Sequence, residues 1–165
     1  MTNLSKKARA TLKEQYITGK QNPVDVQTSV DGTKKYLYPA RQKLSVEAAY
    51  IPEDNRHTLC ISSQIGCKRA CTFCMTGRQG FQGQLTPGEM LNQVMSLPEF
   101  EKLTNVVYMG MGEPMDNIDN VLKSLEIFTA DWGLGWSPRR INVSTIGVAP
   151  AMRRFIEESE AHLAI

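Results

Sequence analysis

From Leu59 onward the chain repeats one pattern: a short β-prone run, a glycine-bearing loop, then a segment with helical apolar spacing. The β-prone runs are 59–63, 105–111 and 140–147, and 162–165 reads as the opening of a fourth. Between them, a helix is expected from Thr86, which sits as the cap before Pro87 with Glu89 placed to complete a capping box. A second is expected over 117–130, with Val121, Leu122, Leu125 and Phe128 on one face, and a third over 149–158. Strands that alternate with crossover helices pair in parallel, which makes this an α/β fold. Three and a half such units are too few for a closed eight-unit barrel. Left open, they would present a long bare edge. The expectation is a partial (βα) barrel of the first three to four units, in a fragment lacking the C-terminal half of a longer protein.

Ahead of this region, residues 4–16 predict a short helix, with Leu4, Ala8, Leu12 and Tyr16 at four-residue spacing, ended by Gly19 and Pro23. Two alternating runs around Asp31-Gly32 predict a hairpin, and a third run over 43–51 extends it into a small β-meander. Pro52 and the polar stretch after it divide the chain into an N-terminal helix and meander extension, 1–52, and a barrel domain, 53–165. The balance of 41% apolar and 22% charged residues is that of a soluble globular protein. A net charge of +2 does not by itself announce a nucleic-acid binder. The basic clusters Lys6, Lys7, Arg9 and Lys13, Arg139 and Arg140, and Arg153 and Arg154 read first as solvated faces and loop ends. No apolar run approaches a membrane span and the N-terminus lacks a secretory core, so the expected compartment is the cytoplasm, with no membrane partner.

Four cysteines without a secretion signal point to metal or redox chemistry rather than structural disulfides. Cys67, Cys71 and Cys74 are spaced C-x3-C-x2-C in the run GCKRACTFC. A zinc site wants four ligands in two knuckles, and no partner pair is available: Cys60 lies on an expected strand, and His57 and His162 are remote. An electron-transfer cluster with four thiolates is also one short in this loop. Three thiolates suit a 4Fe-4S cluster with one iron open to a small molecule. Gly66, Gly77, Gly80 and Gly83 would let the backbone approach such a core, and Phe73 could shield it from water.

These residues resemble the radical S-adenosylmethionine enzymes. The run LCISSQIGCKRACTFCMTGRQGF, with VVYMGMGEPMDN and RRINVSTIGV, is similar to one subgroup, the methyltransferases acting on adenosine C2 of 23S ribosomal RNA and of transfer RNA. FQGQLT departs from that subgroup's FxRNLT at Gly83 and Gln84, which puts a local RNA or cluster-loop contact in question. The resemblance implies a 4Fe-4S cluster on Cys67, Cys71 and Cys74, and S-adenosylmethionine held by Gly112, Glu113 and Ser144. It further implies RNA as substrate, an external electron donor such as flavodoxin, and a monomer. Read without it, Glu113 is either a turn carboxylate or a group aimed at a ligand's ammonium, and Ser144 is a strand serine.

Period-two alternation puts Cys60 and Ser62 on one strand face, pointing into the barrel if Leu59 and Ile61 pack under the helices. On the residues alone, Cys60 could equally be a buried structural cysteine. Glu47 reads as an exposed strand glutamate, although Ala48, Ala49 and Tyr50 beside it could raise its pKa. The resemblance implies that Glu47 is the proton acceptor and that Cys60 forms a transient disulfide with a methyl-carrying cysteine. None of the four cysteines here matches that methyl carrier, so the fragment is expected to be inactive alone. In the implied reaction a first S-adenosylmethionine methylates the carrier cysteine, and a second is cleaved reductively to a radical that activates the methyl group for addition to C2. Met75, Met90, Met109, Met111 and Met115 read as packing residues. The competing readings are C8 methylation by the same chemistry, a radical enzyme acting on a small molecule, and a non-catalytic Fe–S or zinc module.

Overall fold

The computed structural model describes residues 4–16 and 19–165. Its centre is a seven-stranded mixed sheet covered on one face by helices. Strands β1 (Asp25–Thr28), β2 (Lys34–Pro39), β3 (Ser45–Pro52) and β4 (His57–Cys60) are paired antiparallel in turn. From β4 the sheet becomes parallel through β7 (Asn105–Tyr108), β8 (Ile141–Ser144) and β9 (His162–Ala164). The meander and the parallel strands are therefore one continuous sheet, joined through the β3–β4 pairing.

Three crossover helices connect the parallel strands: α3 (Pro87–Met95), α4 (Ile118–Thr129) and α5 (Ala149–Glu158). The first begins as its sequence dictates. Thr86 Oγ1 accepts from the Glu89 amide at 3.3 Å, and Glu89 Oε2 accepts from the Thr86 amide at 2.8 Å. On α4, Val121, Ser124, Leu125 and Phe128 are buried, as three- and four-residue spacing requires. The core lies between these helices and one sheet face, where Leu59, Ile61, Val106, Tyr108, Ile141 and Val143 meet Met90, Val94, Phe128 and Phe155. Tyr36, Tyr38 and Tyr50 extend it beneath the meander.

The two early loop-and-helix expectations hold in outline. Helix α1 (Lys6–Gln15) is capped by Ser5 and buries no residue. Gly32 takes φ +84° in the Asp31-Gly32 turn, a backbone geometry that glycine adopts without strain.

Elsewhere the structure corrects the boundaries. The segment 64–84, expected as loop, contains a second small sheet of β5 (Gln64–Gly66) with β6 (Phe81–Gln84) and a one-turn helix α2 (Met75–Arg78). Polar and glycine-rich pairing of this kind leaves no apolar periodicity to read. The runs expected over 105–111 and 140–147 shorten to four residues each, because Met109 onward turns away and Pro138–Arg140 forms a 3-10 turn. Arg140 is also no solvated loop end. Its guanidinium lies 4.2 Å from the Trp136 ring centroid, and Nε donates to the Thr104 carbonyl at 2.8 Å.

Trp136 closes the end of α4 by stacking on Phe128, with ring centroids 5.7 Å apart. Phe128→Ala should cost about 3–5 kcal/mol through lost burial and a residual cavity, read as a lowered urea midpoint at unchanged slope.

Candidate active site

Side-chain alternation decides what each face of the sheet carries. In β8, Ile141 and Val143 are buried under the helices, while Asn142 and Ser144 face the other way. In β4, Leu59 is fully buried and pairs with Val106, while Cys60 pairs with Ala49 on one side and Val107 on the other. Glu47 lies two residues from Ala49 on β3, and so shares that face. Glu47, Cys60 and Ser144 therefore stand on the open face of one sheet.

At the carboxyl ends of β7 and β8 the cysteine segment folds over a cavity of about 290 Å³. Cys67, Cys71, Cys74, Gly112, Glu113 and Ser144 all line it. Cys60 and Glu47 do not line this cavity. The position is the one where α/β folds gather ligand-binding groups.

Several polar contacts hold the strand ends beneath it. Gln93 of α3 accepts from the Ser62 amide at 2.8 Å and donates to its carbonyl at 3.0 Å, taking the place of a neighbouring strand. Asn117 Nδ2 donates to the carbonyls of Ser63 and Leu85, both at 2.8 Å, and so ties together the two ends of the cysteine excursion.

Glu113 is 4% exposed. Oε1 accepts from Thr145 Oγ1 at 2.6 Å and from the Met115 amide at 2.9 Å, and Oε2 accepts from the Ile146 amide at 3.0 Å. A carboxylate offers about four acceptor positions, so these donors leave one for a ligand in the cavity. Gly112 before it has φ +97°, and a Cβ there would fall 2.5 Å from Gln64 Cβ. The turn that presents Glu113 thus needs glycine on both grounds.

The donor set fits an iron–sulfur cluster. All four cysteines are free thiols, and the Arg69 amide donates to Cys67 Sγ at 3.4 Å, as backbone amides do to cluster thiolates. Among the described residues, no three Cys, His, Asp or Glu side chains converge closely enough to hold a single metal ion. The three thiols line one cavity. Phe73, Met109 and Ile146 line the same cavity while 91%, 55% and 57% exposed, so the apolar rim lacks a protein cover. Met109 accordingly corrects the expectation of a packing methionine, as does Met75 at 65% exposure, whereas Met90 and Met115 are buried.

Glu47 is not enclosed by apolar neighbours. Ala48 and Tyr50 point to the opposite face, and the Glu47 carboxylate, half-exposed, pairs with Lys35 Nζ at 3.1 Å. Cys60 is partly buried, and this burial pushes its thiol pKa up. The sequence reading passed over Gln64, Arg69 and Thr145, all of which bind the site together. Gln64 sits between Ser63 and Ile65, and neither it nor the other two carried a local signal.

Fold and site together define an α/β protein with a three-thiol centre at the carboxyl ends of parallel strands. Residues 61–163 match the model of the Radical SAM superfamily, and the chain belongs to that superfamily. Over all 165 residues it is 59% identical to the probable dual-specificity RNA methyltransferase RlmN of Bacteroides thetaiotaomicron, covering 48% of that protein. It is 45% identical to the dual-specificity RNA methyltransferase RlmN of Dichelobacter nodosus, again over the whole chain and 48% of the relative. The chain thus spans about half the length of the curated relatives it matches. The crystal structure of a radical SAM methyltransferase from Sphaerobacter thermophilus superposes with a TM-score of 0.87 at 34% identity, over 98% of this chain and 50% of that one.

A raised thiol pKa means less thiolate at a given pH. At pH 8, anaerobically and without metal, iodoacetamide should label Cys60 more slowly in the folded chain than in the same chain unfolded in urea, with the gap narrowing as pH rises. Peptide mass spectrometry over time gives the rate, and equal rates would contradict the burial described.

Proposed function

We propose that this chain carries the first half of the catalytic barrel of an enzyme that methylates C2 of adenosine in 23S ribosomal RNA and in transfer RNA. The carrying observation is the single cavity onto which Cys67, Cys71, Cys74, Gly112, Glu113 and Ser144 all open. The relatives named as dual-specificity RNA methyltransferases support the substrate class. In this reading, residues 1–52 are an extension that supplies Glu47, and 53–165 are the barrel half.

Cys67, Cys71 and Cys74 would hold a 4Fe-4S cluster, with Gly112, Glu113 and Ser144 holding S-adenosylmethionine beside it. Together these groups supply one-electron chemistry, which suits an aromatic carbon that has no lone pair to attack a methyl sulfonium. Glu113 offers its remaining acceptor position to an ammonium group, and the three donors behind it prevent the carboxylate from rotating away. Ser144, at the end of β8, offers a hydroxyl from the next strand.

Glu47 acts as the base that removes the C2 proton, with Lys35 fixing its carboxylate. Cys60 would resolve the protein–RNA crosslink: its sulfur attacks the carrier sulfur, and the S–S bond forms as the sulfur–methylene bond breaks. The electron pair and a proton go to the adenine-bound carbon to leave a methyl group, and an external dithiol then reduces the disulfide. Burial raises the Cys60 pKa and so lowers its thiolate fraction, which slows reaction with stray electrophiles. The adenine must leave its stack to reach the open sheet face. The electron comes from an external donor such as flavodoxin, and RNA substrates of this kind place the enzyme in the cytoplasm.

The test is complementation of a strain lacking 2-methyladenosine with the complete gene that encodes this chain, followed by nucleoside mass spectrometry. Both 23S and transfer RNA should regain 2-methyladenosine. Cys67→Ala should abolish it, and Glu47→Gln should lower the rate about 100-fold in single-turnover assays. Recovery of 8-methyladenosine, or of no methylated adenosine, would overturn the assignment.

A further inference from the structure

The segment between Cys67 and Gln79 is tied to the rest of the molecule in an unusual way. Its backbone hydrogen bonds close on itself: Cys67 N to Gly80 O, Cys74 N to Cys71 O, Arg78 N to Cys74 O and Gln79 N to Met75 O. The Arg78 side chain likewise returns to the Thr72 carbonyl. Among the described residues, the segment's polar contacts with anything outside 67–80 all run to one side chain, Asp116.

Arg69 Nε donates to Asp116 Oδ2 at 2.6 Å, and its Nη2 donates to Oδ1, a two-pronged pairing. Lys68 Nζ adds a longer contact at 3.7 Å. The Asp116 side chain is only 6% exposed and that of Arg69 31%, so the pair is sheltered from the screening that weakens ion pairs at an open surface. Asp116 lies in the turn Pro114–Asn117, directly after Glu113.

The far side of that turn is braced as well. Gln84 Nε2 donates to the Asp116 carbonyl at 2.5 Å, Gln64 Nε2 donates to Gln84 Oε1 at 2.7 Å, and Gln64 Oε1 accepts from the Glu113 amide at 2.8 Å.

We propose that Arg69 is a positioning residue whose pairing with Asp116 clasps the cysteine segment onto the turn bearing Glu113. The clasp fixes the three thiols and the ligand-facing carboxylate in one frame before either is occupied. It rests on the reading of this cavity as the cluster and S-adenosylmethionine site. It acts through the loop, and Arg69 itself takes no part in bond making.

The test compares the full chain with Arg69→Gln, Arg69→Lys, Asp116→Asn and the Arg69→Gln/Asp116→Asn double variant. Hydrogen exchange of residues 67–79 is followed by mass spectrometry without metal. Iron release to a chelator is then followed after anaerobic reconstitution, with the S-adenosylmethionine concentration that half-shifts the EPR spectrum. Arg69→Gln should speed exchange in 67–79 and iron release by about tenfold, the effect of losing one charge-assisted pair. Arg69→Lys should fall between, because an ammonium keeps the attraction without the fork. The double variant should be no worse than the more impaired single one. Unchanged exchange and iron release in Arg69→Gln would overturn the clasp. Should the parent chain take up no cluster, the reading of the cavity falls, while the exchange measurement still decides whether the clasp exists.

Discussion

Consecutive side chains of a strand must point to opposite faces, and this constraint places the three candidate groups that strands carry, Glu47, Cys60 and Ser144. Burying Leu59 against α3 and α4 obliges Cys60 to the open face, and burying Ile141 and Val143 does the same for Asn142 and Ser144. The same rule applied to β3 buries Val46, Ala48 and Tyr50 and turns Glu47 outward. Chemistry on one face is thus guaranteed by apolar packing on the other. A slip of one residue in any of these strands would exchange the two sets.

The strand ends then need fixing, since a strand that simply stops leaves unpaired peptide groups. Here side-chain amides do so. Gln93 satisfies both peptide groups of Ser62, and Asn117 satisfies the carbonyls of Ser63 and Leu85. Both amides come from helices or turns that the core already holds in place. The strand ends beneath the cavity are therefore tied to the core, while its rim of Phe73, Met109 and Ile146 is exposed.

Much of this was legible in the sequence because the signals are local. The βα alternation, the Thr86 cap, the Asp31-Gly32 turn and the C-x3-C-x2-C spacing all lie within short windows. The face of Cys60 followed from its neighbours alone. What stayed hidden depends on partners far along the chain. Arg69 and Asp116 are 47 positions apart, and Gln64 and Glu113 are 49 apart. The β5–β6 pairing joins polar residues without an apolar stripe, so no periodicity marked it. Glu47 carried no local sign of a role. Its proposed role came through resemblance, and the residues alone read it as an exposed strand glutamate, which the half-exposed carboxylate beside Lys35 bears out.

The base of the cysteine excursion has its own geometry. Gly66 has φ +73°, and a Cβ there would lie 1.7 Å from the Gly80 carbonyl oxygen, so the two strands of the excursion touch backbone to backbone where they leave the sheet. Such a neck isolates what lies beyond it. Among the described residues, none between Cys67 and Gln79 belongs to a strand of the seven-stranded sheet. In engineering terms the excursion hangs from two points, the Gly66–Gly80 neck and the Arg69–Asp116 pair, and glycine at 66 is the residue that any redesign of the loop must keep.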